Sequence, residues 1–334
     1  MKNKVKFGAR ISRTITTRAP SGITNGLRED GKSFDREIVI GPPYPHVNWK
    51  VVKEVALEVE RLGFDSLIVP DHLMLGTERF EAWTILSALG AITSRVRLGH
   101  LVLCYAYRGL PSIFAKQFAT LDHITNGRLE LGIGAGYEKK EFEAYGVGWR
   151  SGRRRVAELD EFLDILKLMW TEDEINYNGK YYNVKNAICE PKPIQKPYPP
   201  IILGGKGREI LKVAAKHANW VNLTGGGLVT SEDIYRVLGI LEKHCDSIGR
   251  DTSEIGKSWG EWVAMFEDEK DLKNNEELIK KSPRTWCGTP EQYVDRIQEY
   301  LDLGITYITP RFVDLPINKS MVLFSERVMP RFRS

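Results

Sequence analysis

Residues 96–137, VRLGHLVLCYAYRGLPSIFAKQFATLDHITNGRLELGIGAGY, contain the pattern on which the fold turns. Two short β-rich runs, 96–103 and 128–134, flank a segment of helical periodicity at 111–124. Strand, helix and strand in one short stretch read as a unit of a parallel sheet. Both runs are almost continuously apolar, as strands covered on two faces should be.

The same alternation extends in both directions. Further candidate strands are 5–11 (VKFGARI), 66–70 (SLIVP), 200–204 (PIILG), 219–223 (NWVNL), 259–266 (WGEWVAMF) and 305–309 (ITYIT). Helical patterns lie between them, near 48–62, 80–93, 153–170, 208–218, 231–248 and 289–303, with a closing helix near 320–330. In the first, Val51, Val55 and Val59 form an apolar stripe and Gly63 is a C-cap. Thr289 as N-cap and Pro290 in the first turn start another. Eight strands alternating with eight helices predict an α/β fold, a (β/α)8 TIM barrel, with residues 1–334 as one domain and no internal repeat. Two connections exceed ordinary loop length. Residues 12–47, an insertion after the first strand, would cover the catalytic face as a substrate lid. Residues 171–199, before the fifth strand, hold Pro191, Pro193, Pro197 and Pro199.

Composition narrows the function classes. The 48 basic and 44 acidic residues are well mixed and give a net charge of only +4, unlike the one-sided basic surface of a nucleic-acid protein. The densest basic run, Arg150 with Arg153, Arg154 and Arg155, opens an acidic-rich helix; it reads as a solvated face, or else as a partner of an anionic cofactor tail. Cys104, Cys189, Cys245 and Cys287 lie far apart with no C-x-x-C, so neither zinc nor a disulfide framework is expected. Residues 1–11 lack the apolar stretch of a signal peptide, and no run approaches the ~20 apolar residues of a membrane span. A cytoplasmic location with no membrane or nucleic-acid partner is expected.

A barrel places its chemistry at the C-terminal ends of its strands, and four features fall there. Pro70-Asp71-His72 ends the second strand; an Asp-His pair can hold an imidazole that exchanges protons near neutral pH, although a structural Asp beside a surface His is an equal reading. His100 ends the third strand, and with His72 a metal pair is conceivable, but no third ligand appears at a recognisable spacing, so no metal is assigned. His123 and His217 lie in helical patterns and read as packing or surface residues. Glu130-Leu131-Gly132-Ile133-Gly134-Ala135-Gly136 ends the fourth strand. Alone it could open a nucleotide-binding or methyltransferase fold, yet the required second strand with its acidic end is missing, since 137–170 continue as polar loop and helix. Gly204-Gly205-Lys206-Gly207-Arg208 runs from the fifth strand into a helix, where backbone N–H groups with Lys and Arg alongside suit a phosphate. The spacing is not that of a Walker motif.

Taken together, GFDSLIVPDHL (63–73), the opening stretch 96–137, PKPIQKPYPPIILGGKG (191–207) and GTPEQYVDRIQEYLDLGIT (288–306) resemble the luciferase-like family of flavin- and deazaflavin-dependent oxidoreductases over nearly the whole chain. The resemblance implies a non-proline cis peptide at Leu101–Val102 that supports the back of a cofactor ring. It implies cofactor contacts from Gly134, Ala135, Gly136 and Tyr137, and phosphate binding by Gly204, Gly205, Lys206 and Gly207. It matches His72 to the active-site histidine of deazaflavin-dependent dehydrogenases. One departure is Tyr137, where the sugar-phosphate dehydrogenase branch has a catalytic Glu, which argues against glucose-6-phosphate as substrate.

The expected activity is therefore hydride transfer between coenzyme F420 and a small organic substrate, with His72, oriented by Asp71, as general acid/base. An FMN-dependent luciferase-like monooxygenase is the alternative, and a non-catalytic cofactor-binding barrel the third reading. Family resemblance alone suggests a homodimer.

Overall fold

The computed structural model describes residues 5–11, 48–74, 80–224, 230–280, 285–315 and 319–333. The lid expected at 12–47 lies outside the described residues. Parallel strands form in chain order as β1 (Lys6–Arg10), β2 (Ser66–Val69) and β3 (Arg97–His100), which resumes after a bulge as β4 (Leu103–Cys104), and then β5 (Leu129–Gly134). An antiparallel hairpin, β6 (Ile175–Asn178) with β7 (Asn183–Ala187), stands apart. The sheet continues through β8 (Ile201–Gly204), β9 (Trp220–Asn222) and β10 (Gly256–Trp259). β11 (Trp262–Met265) and β12 (Thr285–Gly288) follow, then β13 (Ile305–Ile308) and β14 (Arg311–Phe312). The order β3-β2-β1-β13-β10-β9-β8-β5 closes through the β3–β5 pairing, giving the expected eight-stranded barrel.

Helices α1 (Trp49–Arg61), α2 (Ala82–Ile92) and α3 (Pro111–Ile124) follow the first strands, and the short α4 (Lys139–Ala144) precedes the long α5 (Gly152–Thr171). The shell is completed by α6 (Arg208–His217), α7 (Ser231–Asp246), the short α8 (Glu269–Asn274) and α9 (Glu276–Lys280), and α10 (Pro290–Asp302). α11 (Lys319–Leu323) runs on as a π turn and a 3₁₀ turn to Phe332. The local signals hold: Gly63 takes a φ of 77° after α1, and Thr289 and Gln292 form a capping box on α10. No helix among the described residues is long and apolar enough to cross a membrane.

One expectation is corrected. The run 259–266 was expected to be the seventh barrel strand, but that strand is β10, three residues earlier, and Trp262–Met265 instead joins β12 and β14 in a separate three-stranded parallel sheet. The polar Lys257 and Ser258 hide β10 from a hydrophobic pattern, while the apolar WVAM attracts it. The break is at Gly260, where a Cβ would stand 2.1 Å from the Thr309 carbonyl oxygen. The connection 171–199, expected as a long insertion before the fifth strand, is one, and it contains the β6–β7 hairpin, with cis bonds at Glu190–Pro191 and Lys196–Pro197. Its strands are too polar to announce themselves.

Strand alternation sorts the barrel wall into two faces. Phe7 of β1 points outward against Phe324, with ring centroids 5.5 Å apart, so Lys6, Gly8 and Arg10 point inward. Ile68, Leu101, Ile202 and Tyr307 fill the barrel's middle. Below them Glu130 is buried and tied to Lys6 at 2.7 Å, Arg97 at 2.8 Å, Tyr307 Oη at 3.0 Å and Ser66 at 3.3 Å. Burial alone would raise its carboxyl, but Lys6 and Arg97 hold it below the ordinary carboxylate value. This network plugs the end of the barrel remote from the strand C-termini.

On β5 the inward positions are Glu130, Gly132 and Gly134, and the outward ones are apolar. The glycines answer to β3. A Cβ on Gly132 would stand 1.6 Å from the His100 carbonyl oxygen, which is backbone and cannot yield without parting the strands. Gly132→Ala is expected to destabilise the fold by about 3 kcal/mol or more, read as a clear fall in melting temperature; a variant that melts with the wild type would contradict this packing.

Candidate active site

The four segments singled out in the sequence meet at the C-terminal mouth of the barrel. Pro70-Asp71-His72 follows β2, the Leu101–Val102 peptide follows β3, Gly134–Tyr137 ends β5, and Gly204–Gly207 ends β8. The Leu101–Val102 bond is cis, as the resemblance implied. The bulge directs Val102 over its neighbours: a Cβ on Gly134 would stand 2.9 Å from Val102 Cγ2, and one on Gly204 would stand 2.7 Å from Val102 Cγ1. The result is an apolar shelf flanked by two strand ends without side chains. The glycines of 130–136 thus serve a close approach of strands rather than a dinucleotide turn.

Asp71 and His72 part company. Asp71 is buried and accepts from the Cys104 backbone N–H at 2.8 Å and from Arg108 Nη2 at 3.3 and 3.4 Å. Arg108, buried in turn, also donates from Nη1 to Glu81 at 2.8 Å. Asp71 therefore anchors the segment beyond the bulge to β2. A carboxylate with a buried guanidinium and a backbone donor is well satisfied there.

The hydrogen bonds of His72 run elsewhere than to Asp71, which corrects the expected orientation. Nδ1 lies 3.2 Å from Glu141 Oε2, and Nε2 lies 3.0 Å from Tyr137 Oη, with the two rings edge-on at 5.5 Å. Glu141, on α4, is 1% exposed and accepts from the backbone N–H groups of Leu73 and Met74 at 2.7 and 2.9 Å and from Tyr107 Oη at 3.3 Å. Burial would raise its carboxyl, yet His72 and these donors bring it below the ordinary carboxylate value. An ionised Glu141 can only accept, so His72 carries its proton on Nδ1 and turns an Nε2 lone pair toward Tyr137, an assignment from the network. The sequence reading missed Glu141. Among Glu138, Glu141 and Glu143 nothing in the chain marks the one whose carboxylate is buried.

Gly204–Gly207 leads directly into α6. Gly205 has a φ of 141° and Gly207 caps the helix without a side-chain hydrogen bond, so the helix N-terminus is open to an anion. Burial lowers the Lys206 ammonium. Other candidates lie outside the mouth. His100 is buried, with Nε2 3.2 Å from the Ala82 carbonyl oxygen and its ring stacked on Trp83. His123 meets the Lys192 carbonyl and His217 meets Asp160. The basic run divides: Arg153 is exposed, Arg150 and Arg154 pair with Glu158, and Arg155 is buried over the Trp149 ring at 3.8 Å, so it does not form one solvated face.

Comparison with known proteins agrees with this geometry. The chain is 28% identical over 324 residues to an F420-dependent glucose-6-phosphate dehydrogenase of Segniliparus rotundus, covering 86% of this chain and 95% of the relative. It is 26% identical over 320 residues to an FMNH(2)-dependent dimethylsulfone monooxygenase of Pseudomonas putida, covering 84% and 87%. Among solved structures, an F420-dependent secondary alcohol dehydrogenase in complex with an F420-acetone adduct superposes with a TM-score of 0.75 at 19% identity, covering 99% of this chain and 100% of that one. A long-chain alkane monooxygenase gives 0.78 at 17% identity, covering 100% and 92%. The sequence profile of the luciferase-like monooxygenases matches residues 37–275. The chain belongs to the luciferase-like monooxygenase family.

Proposed function

We propose that the chain is an oxidoreductase that transfers a hydride between the deazaflavin ring of coenzyme F420 and a small organic substrate, with His72 as general acid/base. The observation that carries this reading is the buried Glu141 carboxylate on His72 Nδ1, which leaves Nε2 as the proton-exchanging atom at the mouth. Nε2 would take the proton of a substrate hydroxyl as the adjacent carbon loses hydride, or return it in the reverse direction. Glu141 would stabilise the imidazolium formed in that step, as a buried carboxylate does for other catalytic histidines. Tyr137, largely exposed and bonded to Nε2, is the group that would yield to a substrate.

The residues fit a flat cofactor. Leu101 and Val102 would support the ring, with Gly134, Ala135, Gly136 and Tyr137 along one edge. Gly204, Gly205, Lys206 and Gly207 would hold the phosphate at the α6 N-terminus. When bound, F420 supplies a hydride-accepting carbon, whereas FMN in the same place also supports oxygen activation. Holding substrate against the shelf would fix donor and acceptor in reacting geometry.

A second reading, an FMN-dependent monooxygenase, draws on two observations. Tyr137 stands where the sugar-phosphate branch is expected to carry Glu, and the likeness to the dimethylsulfone monooxygenase is nearly equal in identity and coverage. A non-catalytic barrel is less well supported, because Asp71 is buried and His72 sits within a bonded network.

Three experiments test these assignments. Fluorescence titration of the apoprotein with F420 and with FMN should give tighter binding of F420; tight FMN binding with none of F420 would replace the first reading by the second. His72→Ala should lower turnover by about 10²- to 10⁴-fold while cofactor affinity stays unchanged; undiminished turnover removes His72 from its role. Glu141→Gln should lower kcat by roughly tenfold or more with cofactor affinity unchanged, because His72 Nδ1 loses its anionic partner. A variant that loses cofactor affinity and melting temperature in step with its activity would make Glu141 a structural residue only.

A further inference from the structure

The hydride-transfer reading gives no use to Arg10, a cation at the mouth. Arg10 ends β1 and faces the barrel interior with Lys6 and Gly8. Its Nε and Nη2 donate to Thr309 Oγ1 at 3.1 and 2.8 Å, and Nη2 donates to Thr224 Oγ1 at 3.0 Å. Both partners are neutral hydroxyls, and both are themselves fixed. Thr309 donates to the Trp259 carbonyl at 3.0 Å, and Thr224 accepts from the Gly260 N–H at 2.9 Å. Gly260 packs closely against this cluster, since a Cβ there would stand 2.8 Å from Arg10 Nη2. Nη1 makes no hydrogen bond among the described residues.

Three other guanidiniums of the barrel and its rim are neutralised by carboxylates. Arg97 pairs with Glu130, Arg108 with Asp71 and Glu81, and Arg296 with Glu261 at 2.8 Å. Arg10 has no carboxylate partner among the described residues. The charge that acts on it is a second cation, Arg311, stacked over the Trp262 ring at 3.8 Å. Burial, together with Arg311, pushes the Arg10 guanidinium down to about 9. A charge taken out of water is costly unless paired, so a fold that keeps one unpaired in a concave site is poised to receive an anion.

The position supports the same conclusion. Around the eight-stranded ring β1 lies four strands from β8, and β13, which leads to Thr309, lies four strands from β5. Arg10 and Thr309 therefore face the Gly134–Gly204 shelf across the mouth. A molecule lying on a ring seated at that shelf would have one end at His72 and another within reach of Arg10.

We propose that Arg10, held by Thr224 and Thr309, is a specificity-determining residue that binds an oxyanion of the substrate, so that the substrate is a small molecule carrying a carboxylate, sulfonate or phosphate group. The proposal rests on reading the mouth as the substrate pocket, but its test needs no turnover, and its anion-binding arm needs no cofactor. Isothermal titration of the full-length protein at low salt would compare benzoate and inorganic phosphate with the neutral benzamide. Wild type should prefer benzoate to benzamide by about tenfold or more, the scale of one charge-assisted hydrogen bond. Arg10→Met and Arg10→Gln should lose the preference, Arg10→Lys should keep part of it, and His72→Ala should keep it in full. F420 and FMN titrations of Arg10→Met should match the wild type. The proposal is overturned if wild type fails to discriminate, a result that needs no variant to fold. It is equally overturned if a folded neutral variant discriminates as well as wild type, or if the variant loses cofactor affinity instead, which would assign Arg10 to the cofactor. Failure of both cofactors to bind the wild type would defeat the hydride-transfer reading while leaving the anion preference to be judged on its own.

Discussion

The carbonyl oxygen of His100 and the inward face of Gly132 occupy almost the same place, and much of the mouth follows from that approach. Where β3 ends, the chain bulges through the cis Leu101–Val102 peptide and resumes beside β5 as β4. The bulge brings Val102 over Gly134 and Gly204, positions that tolerate it only because they lack side chains. An interior as close-packed as a protein's cannot absorb an added methyl at such contacts. The glycines of β5 and β8, the bulge of β3 and the bare shelf between them are one packing solution. Asp71 secures it, since its bond to the Cys104 N–H ties the chain beyond the bulge to the end of β2.

Beside the shelf, one buried carboxylate organises the hydrogen bonds of His72. Glu141 gathers two backbone donors, a tyrosine hydroxyl and His72 Nδ1. Its partners hold it ionised in spite of burial, and an anion in that position sets which histidine nitrogen carries the proton. Neighbouring Asp and His therefore do different work: one holds a strand end, the other is held by a helix.

The two ends of the barrel treat charge in opposite ways. At the closed end, Glu130 is matched by Lys6 and Arg97, so the charges satisfy one another and the interior is sealed. At the mouth, Arg10 rests on hydroxyls with Arg311 nearby. A satisfied network stabilises and specifies packing, whereas a cation held by neutral hydroxyls keeps a field that favours an anion.

What could be read without coordinates is what obeys a local rule. Alternating short apolar runs and helical stripes gave the barrel, Gly63 and the Thr289–Pro290 pair gave helix ends, and the spacing of 96–137 located the bulge through resemblance. The seventh strand slipped because β10 carries the polar Lys257 and Ser258 in the barrel wall while the apolar WVAM packs in a second sheet, so hydrophobicity pointed to the wrong segment. By itself the sequence determined the fold class and the strand ends where chemistry belongs, because those depend on periodicity and on residues close along the chain. Only the tertiary structure decided which carboxylate meets His72 and that Arg10 has none among the described residues. Those facts depend on burial and on contacts between residues up to 299 positions apart, and no local pattern records them.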